Sequence, residues 1–255
     1  IRKFYEQACA RFSVLVPERF RQLNLPDEAI VAAGEVLSAL QLTNAAVDIK
    51  GVAYEEVVRN TFDKGDNQQF FTPREIAAFL VAMLANETHG AVCDPASGTG
   101  GFLVEMLRQD VKVASFTALE VDERLAWVTG INLFLTGANE FQSIYLGNGG
   151  SLGAKGEPFL GSFNVIITNP PFGSDYSDSS SLQKYELGRG LISRRRGILF
   201  IERCLEMLKP GGVLGMVIDE GVLSLSSSQD VREFIQRRAE LLVVVSLPET
   251  AFMPY

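Results

Sequence analysis

The stretch Asp94-Pro95-Ala96-Ser97-Gly98-Thr99-Gly100-Gly101-Phe102 decides how the rest of this 255-residue chain is read. An apolar run, Ala91-Val92-Cys93, leads into it and an amphipathic segment over 102–107 follows, so the spacing predicts strand, glycine-rich turn, helix. Such a turn is a nucleotide-type ligand site. Glycines admit positive φ and a close approach of backbone to ligand, and the helix beginning near Gly100 points unbonded N–H groups into the same space. A dinucleotide fingerprint would put a third small residue three positions after Gly100, but Leu103 stands there, and an acid, Asp94, opens the turn. The pattern Asp-x-x-x-Gly-x-Gly-Gly fits S-adenosylmethionine better than a nicotinamide dinucleotide.

Downstream, 113–120 is a mostly apolar strand closing on Glu120, about twenty residues past the glycines, the place for a carboxylate that binds ribose hydroxyls. Asp122 then caps a helix that runs to residue 135. A short strand over 143–146 ends in Gly147-Asn148-Gly149-Gly150, where Asn148 either bonds an adenine edge or simply serves the turn. A fourth buried strand, 164–168, delivers Asn169-Pro170-Pro171-Phe172 at its carboxyl end, where open α/β sheets bind ligands. Two prolines lack N–H donors and hold the backbone extended, so carbonyl oxygens face a substrate while Asn169 offers an acceptor and Phe172 a flat face. Residues 173–197 read as a long loop without regular structure, carrying Tyr176, Tyr185, Arg189, Arg194, Arg195 and Arg196. The three consecutive arginines either contact phosphates or form a solvated face. Helix 198–208, the turn Lys209-Pro210-Gly211-Gly212, strand 213–218, helix 229–238 and strand 241–247 complete a repeated β–α alternation. That alternation predicts a mainly parallel sheet with right-handed crossovers.

Upstream, Thr72 caps a helix over 76–84, with Pro73 at its first position and Glu75 three residues after Thr72 as a capping box requires. Residues 1–60 form a helical domain, with apolar positions at Phe12, Leu15, Val16, Phe20, Leu23, Ile30, Val31, Val36, Leu37, Leu40 and Leu42. This domain either packs on the main one, residues 61–255, or docks another subunit. The chain opens on Ile1 and closes on Met253-Pro254-Tyr255 just past an apolar run, which suggests a fragment with structure missing at both ends. No apolar run approaches the roughly 20 residues that span a bilayer, and no charged-then-apolar leader is present, so a soluble, cytoplasmic protein is expected. Three scattered cysteines, Cys9, Cys93 and Cys204, predict buried thiols, and a single histidine, His89, argues against a metal site. A net charge of −8 is not that of a self-sufficient nucleic-acid binder, so DNA contact would need a local basic patch or a partner.

Taken together, Phe71-Thr72-Pro73, Asp94 to Phe102, Glu120 and Asn169 to Phe172 resemble the amino-group DNA methyltransferases, specifically the modification subunit of type I restriction–modification systems. The similarity runs from about residue 54 onward. It includes Gln69-Phe70-Phe71-Thr72-Pro73-Arg74-Glu75, Tyr185-Glu186-Leu187-Gly188, and Phe200-Ile201-Glu202-Arg203 leading on to Lys209-Pro210-Gly211-Gly212. The resemblance implies a Rossmann-like S-adenosylmethionine-dependent methyltransferase fold that methylates the N6 amine of an adenine flipped from double-stranded DNA. The implied partners are a specificity subunit that reads the sequence, a restriction subunit, and a second modification subunit. Asn169, Pro170, Pro171 and Phe172 would hold the target base. Phe71, Thr72, Pro73, Asp94, Ala96, Ser97, Gly98, Gly100, Gly101, Glu120 and Asn148 would hold the cofactor, Asn148 standing where the family usually has an acid. Cytosine C5 chemistry needs a cysteine after the fourth strand, and 170–197 contain none. RNA and release-factor glutamine methyltransferases also carry Asn-Pro-Pro with an aromatic, but the Phe-Thr-Pro element ahead of the glycine turn sets this chain apart from them.

Overall fold

A computed structural model describes residues 1–13, 16–39 and 72–252. Five parallel strands form the sheet: β1 (Ala91–Asp94), β2 (Ser115–Glu120), β3 (Phe141–Tyr145), β4 (Phe163–Thr168) and, after a small separate ladder, β7 (Leu208–Met216). Their order is β3-β2-β1-β4-β7, so β1 has β2 on one side and β4 on the other, and the winding reverses between β1 and β4. A crevice opens at the carboxyl ends of strands at such a reversal. This is the mainly parallel α/β architecture that the β–α alternation predicts, and it agrees with the Rossmann-like fold that the resemblance implies.

Both faces of the central strands are covered, which is why β1, β2 and β4 are mostly apolar and buried, whereas the edge strands β3 and β7 keep exposed positions. Alternation still sorts their side chains. Val92, Phe116, Ala118, Val165 and Ile167 join a core with Val81, Leu103, Met106 and Leu133. Those partners come from α3 (Arg74–Leu84), α4 (Gly101–Arg108) and α5 (Glu123–Leu135). Cys93, Leu119 and Ile166 face the other way, toward Leu199, Cys204 and Met207 of α6 (Arg196–Met207) and Phe234 of α7 (Gln229–Arg238). Cys9, Cys93 and Cys204 are all buried free thiols. No helix among the described residues is long and apolar enough to cross a membrane.

Toward the amino terminus, α1 (Arg2–Arg11) and α2 (Asp27–Ala39) are helical as expected, but Phe12, Val16, Phe20 and Leu23, also expected on a helix, lie between them, where only Glu18–Phe20 forms a short helical turn; the rest of 1–60 beyond residue 39, with the proposed domain boundary, lies outside the described residues. The ring of Phe12 meets Phe134 edge-on at 5.2 Å, Phe20 stacks on Trp127 at 4.8 Å, and Arg19 pairs with Glu123 at 2.5 Å. This segment therefore rests on the outer side of α5.

Two expectations fail. Residues 173–197 are not structureless: Asp175–Tyr176 (β5) pairs antiparallel with Arg194–Arg195 (β6), and Ser179–Leu182 and Glu186–Gly188 form helical turns. The segment has its own buried anchors, Tyr176, Leu182, Tyr185 and Leu187, spaced at neither strand nor helix period. The predicted strand over 241–247 belongs to no ladder, and Leu241, Leu242, Val243, Val244 and Val245 are between 45% and 67% exposed. Apolar β-branched residues favour a strand only where a neighbour exists to pair with, and no described strand lies beside β7 on its outer edge.

Candidate active site

The glycine loop follows β1, as predicted, and α4 starts at Gly101 with Gly100 at its cap position. Its shape is set by side chains from other elements. Glu120, at the end of β2, accepts from Gly98 N–H at 2.8 Å through Oε2, and from Val121 and Asp122 N–H at 2.8 and 3.0 Å through Oε1. Thr129 Oγ1 donates to the Gly98 carbonyl at 2.8 Å, and Asn132 Nδ2 to the Thr99 carbonyl at 2.9 Å. Ser151 Oγ donates to the Pro95 carbonyl at 2.5 Å. Sequence reasoning missed Thr129, Asn132 and Ser151. Two polar residues three apart on the buried face of α5 were the available signal.

Gly98 has φ +54°, and a Cβ built there meets no atom within 4 Å; at Gly101 the space is equally open. The loop thus borders open space at Gly98 and Gly101, which leaves room for a ligand to approach the backbone. Gly100 differs: φ is +84°, and a Cβ would lie 2.8 Å from Thr129 Cγ2, so this glycine permits helix packing.

Asp94 is 2% exposed and accepts from Thr168 Oγ1 at 2.7 Å and Ala96 N–H at 3.1 Å, both through Oδ1. Burial pushes its carboxyl up to about 7, Glu120 adds to the shift, and the two hydrogen bonds oppose it. Glu120 is likewise raised by burial, against its three backbone donors. No described cation pairs with either acid. Two buried carboxylates without a counter-charge favour a cationic ligand. Ser97, also buried, leaves its hydroxyl without a partner.

The Asn-Pro-Pro-Phe segment leaves the end of β4 as expected. Pro170 is buried, Pro171 exposed and Phe172 half-buried. Pro170 and Phe172 line a cavity of about 310 Å³ with Gly197, Met216, Ile218 and Asp219, near the lower end of the range for small-molecule sites. Asn169 Nδ2 donates to Thr72 Oγ1 at 3.1 Å, and Asn169 Oδ1 is buried with no hydrogen-bond partner. A buried acceptor without a partner costs about 1–3 kcal/mol, so Oδ1 is open to a donor.

Of three further expected site residues, two are placed as follows and one is not described. Phe71 lies outside the described residues. Asn148 sits exposed on its turn, with no hydrogen bond joining it to the glycine loop. Thr72 does not cap: α3 begins at Arg74, Pro73 holds the cap position without a side-chain bond, and the Pro73 carbonyl accepts from Ile76 and Ala77 N–H at 3.1 and 3.0 Å. Proline, with its fixed φ, ends the extended approach one residue later than the capping pattern suggests. Among the arginines, Arg194 pairs with Asp230 at 2.6 Å, Arg195 lies 3.8 Å from Asp219, and Arg196 lies over the Tyr176 ring.

Residues 45–255 match the family model described as N-6 DNA Methylase. The chain is 24% identical over 218 residues to the type I restriction enzyme EcoEI methylase subunit of Escherichia coli, covering 80% of this chain and 44% of that one. It is 27% identical over 228 residues to the EcoKI methylase subunit of Escherichia coli K12, covering 79% and 41%. The chain therefore spans less than half the length of these relatives. In structure it resembles a putative class I S-adenosylmethionine-dependent methyltransferase from Listeria monocytogenes, with TM-score 0.72, 20% identity, and 98% of this chain and 75% of that one covered.

Proposed function

Because the chain belongs to the N-6 DNA methylase family, we propose that it transfers a methyl group from S-adenosylmethionine to the N6 amine of adenine in double-stranded DNA, as the modification subunit of a type I restriction–modification assembly. The observation that carries this reading is the orphaned Asn169 Oδ1 at the end of β4, beside the glycine cradle with its uncompensated carboxylates. S-adenosylmethionine supplies a methyl on a sulfonium, a leaving group so good that the protein need furnish no covalent nucleophile. The residues supply position. Asn169 Oδ1 and the Pro170 carbonyl accept the two N–H bonds of the exocyclic amine, which turns its lone pair out of the ring plane toward the methyl carbon. Phe172 stacks on the base, which reaches this pocket only when flipped from the duplex.

On the cofactor side, Asp94 would hold the cationic methionine portion and Glu120 the ribose. Thr72 and Pro73 border the site beside Asn169. Ala96, Ser97, Gly98, Gly100 and Gly101 shape the cradle. Asn148 and Phe71 complete the cofactor set. The chain's −8 charge, with Arg194 and Arg195 already facing acids, supports delegating sequence recognition to a specificity subunit, with two modification subunits and a restriction subunit in the assembly. The amino-terminal helices would form a separate domain ending near residue 60, and the assembly would work in the cytoplasm. Asn169→Ala in the full-length protein with its specificity subunit should cut tritiated-methyl transfer at least about a hundredfold, as loss of one preorganised polar group does elsewhere, while calorimetry shows cofactor binding intact. Near-normal transfer would refute the assignment.

A further inference from the structure

We propose that Ile192 is a wedge that enters the DNA stack when the target adenine leaves it, filling space between the neighbouring bases. The proposal rests on the reading of this chain as a methyltransferase that acts on a flipped base. Ile192 is 94% exposed, more than any other large apolar side chain among the described residues, and Leu191 before it is 39% exposed. Single exposed apolar residues are ordinary on protein surfaces. What sets this one apart is where the fold holds it and what flanks it.

The loop is braced up to the residue before Ile192. Gly190 N–H donates to Gln183 Oε1 at 2.8 Å, Gln183 Nε2 donates to the Leu191 carbonyl at 2.9 Å, and Leu191 N–H donates to the Gly188 carbonyl at 3.1 Å. A backbone N–H can only donate and a carbonyl only accept, so the Gln183 amide has one orientation here. On the far side, β6 begins two residues later at Arg194. Ile192 therefore stands at the tip of a loop held at both ends, and its branched Cβ restricts its rotamers. The next three residues, Ser193, Arg194 and Arg195, line the cavity together with Pro170 and Phe172. A flipped nucleotide turns about its own backbone and stays in its strand, so a base seated in that cavity leaves its gap beside the cavity mouth. The exposed side chain next to the wall is placed to enter that gap. Arg189 and Arg195, both exposed, lie three positions to either side of Ile192, and Arg195 keeps 62% of its side chain in solvent despite Asp219 at 3.8 Å. Cations around an apolar tip suit a groove edged by phosphates, where inserted isoleucine or leucine unstacks a base step.

The test uses the full-length protein with its specificity subunit, S-adenosylmethionine, and two duplexes: one with the target adenine paired to thymine, the other with an abasic site opposite it. Ile192→Ala should lower kcat/KM on the paired duplex about tenfold, part of what burying an isoleucine contributes. On the abasic duplex, where no pair has to be broken, the loss should shrink to within about twofold. Ile192→Leu, still an apolar wedge, should stay within about threefold of wild type on both. A 2-aminopurine at the target position, which brightens when it leaves the stack, should brighten less with Ile192→Ala than with wild type. An equal loss on both duplexes, or an alanine variant that no longer co-elutes with the specificity subunit, would overturn the proposal, the latter making the tip a subunit contact. A wild-type assembly that methylates neither duplex would sink the underlying reading, and the wedge with it. A wild-type assembly active on both, with the alanine variant equally active, would sink the wedge alone.

Discussion

At Gly98 and Gly100 the same substitution should have different consequences. Each glycine holds positive φ, where an alanine costs roughly 1–2 kcal/mol. Only at Gly100 does the new Cβ also strike Thr129; at Gly98 it enters open space. Gly100→Ala is therefore expected to lower the melting temperature more than Gly98→Ala, while Gly98→Ala weakens S-adenosylmethionine binding more than its loss of stability explains. Thermal denaturation with and without cofactor separates the two, and equal behaviour of the variants would show that Gly98 lines no cradle. Asp94 gives a prediction in pH. Its folded pKa of about 7 lies above the unfolded value of about 3.9, so the unfolded chain releases the proton first, and the residue removes stability as pH rises through that window. Asp94→Asn, neutral throughout, should gain on wild type between pH 5 and pH 8 by about 1 kcal/mol or more, near 2–4 °C in Tm for a chain of this size. Calorimetric scans of ligand-free protein would check it, and a pH-independent difference would contradict the buried charge.

At the scale of elements, the segment between β4 and α6 is held by a buried polar clamp. Tyr185, 1% exposed, donates its hydroxyl to the Leu152 carbonyl at 2.6 Å and accepts from Arg203 Nε at 2.7 Å. Glu202 of α6 accepts from Glu186 and Leu187 N–H at 2.7 and 2.9 Å. One helix thus fixes the turn through two neighbouring side chains, and with it the course of the chain that returns as β6. Tyr185→Phe leaves the ring packing but removes the short donor to the Leu152 carbonyl and the acceptor of Arg203 Nε, leaving the carbonyl only the 3.4 Å contact from Arg203 Nη2 and the guanidinium its pairing with Glu206, so a loss of about 1 kcal/mol is expected from urea unfolding. A neutral outcome would mean that water replaces the hydroxyl. The clamp was hidden from pattern reading because Tyr185 and Arg203 belong to different elements. By contrast, the cap at Asp122 was legible: its carboxylate accepts from Arg124 N–H at 2.8 Å, two residues along the chain.

Across the whole molecule, the sheet ends at β7 with no described strand on its outer edge, while Leu241 to Val245 present five exposed apolar residues in a row. An open edge and an unpaired apolar segment are both templates for strand addition. The 255-residue chain by itself is therefore expected to associate as its concentration rises, and Val244→Lys to reduce this in sedimentation velocity without altering the melting transition. Concentration-independent sedimentation of the wild-type chain would show that the segment is sheltered in solution. The same view explains the miss: hydrophobic pattern finds a strand-forming segment correctly, but pairing is a property of two segments.

The sequence by itself determined the strand–turn–helix about Asp94, the order of the β–α units, the capped helix after Glu120 and the placing of Asn169 to Phe172 at a strand end, because period, capping and turn chemistry act over a few residues. Tertiary structure alone decided that Thr72 turns from its helix to Asn169, that Thr168 reaches Asp94 across 74 residues, and that the glycine loop hangs from Glu120, Thr129, Asn132 and Ser151. Contacts of that kind leave no period in the chain. They exist because burial strips the water from polar groups brought together by the parallel sheet, and each must then find its partner wherever the fold has put one.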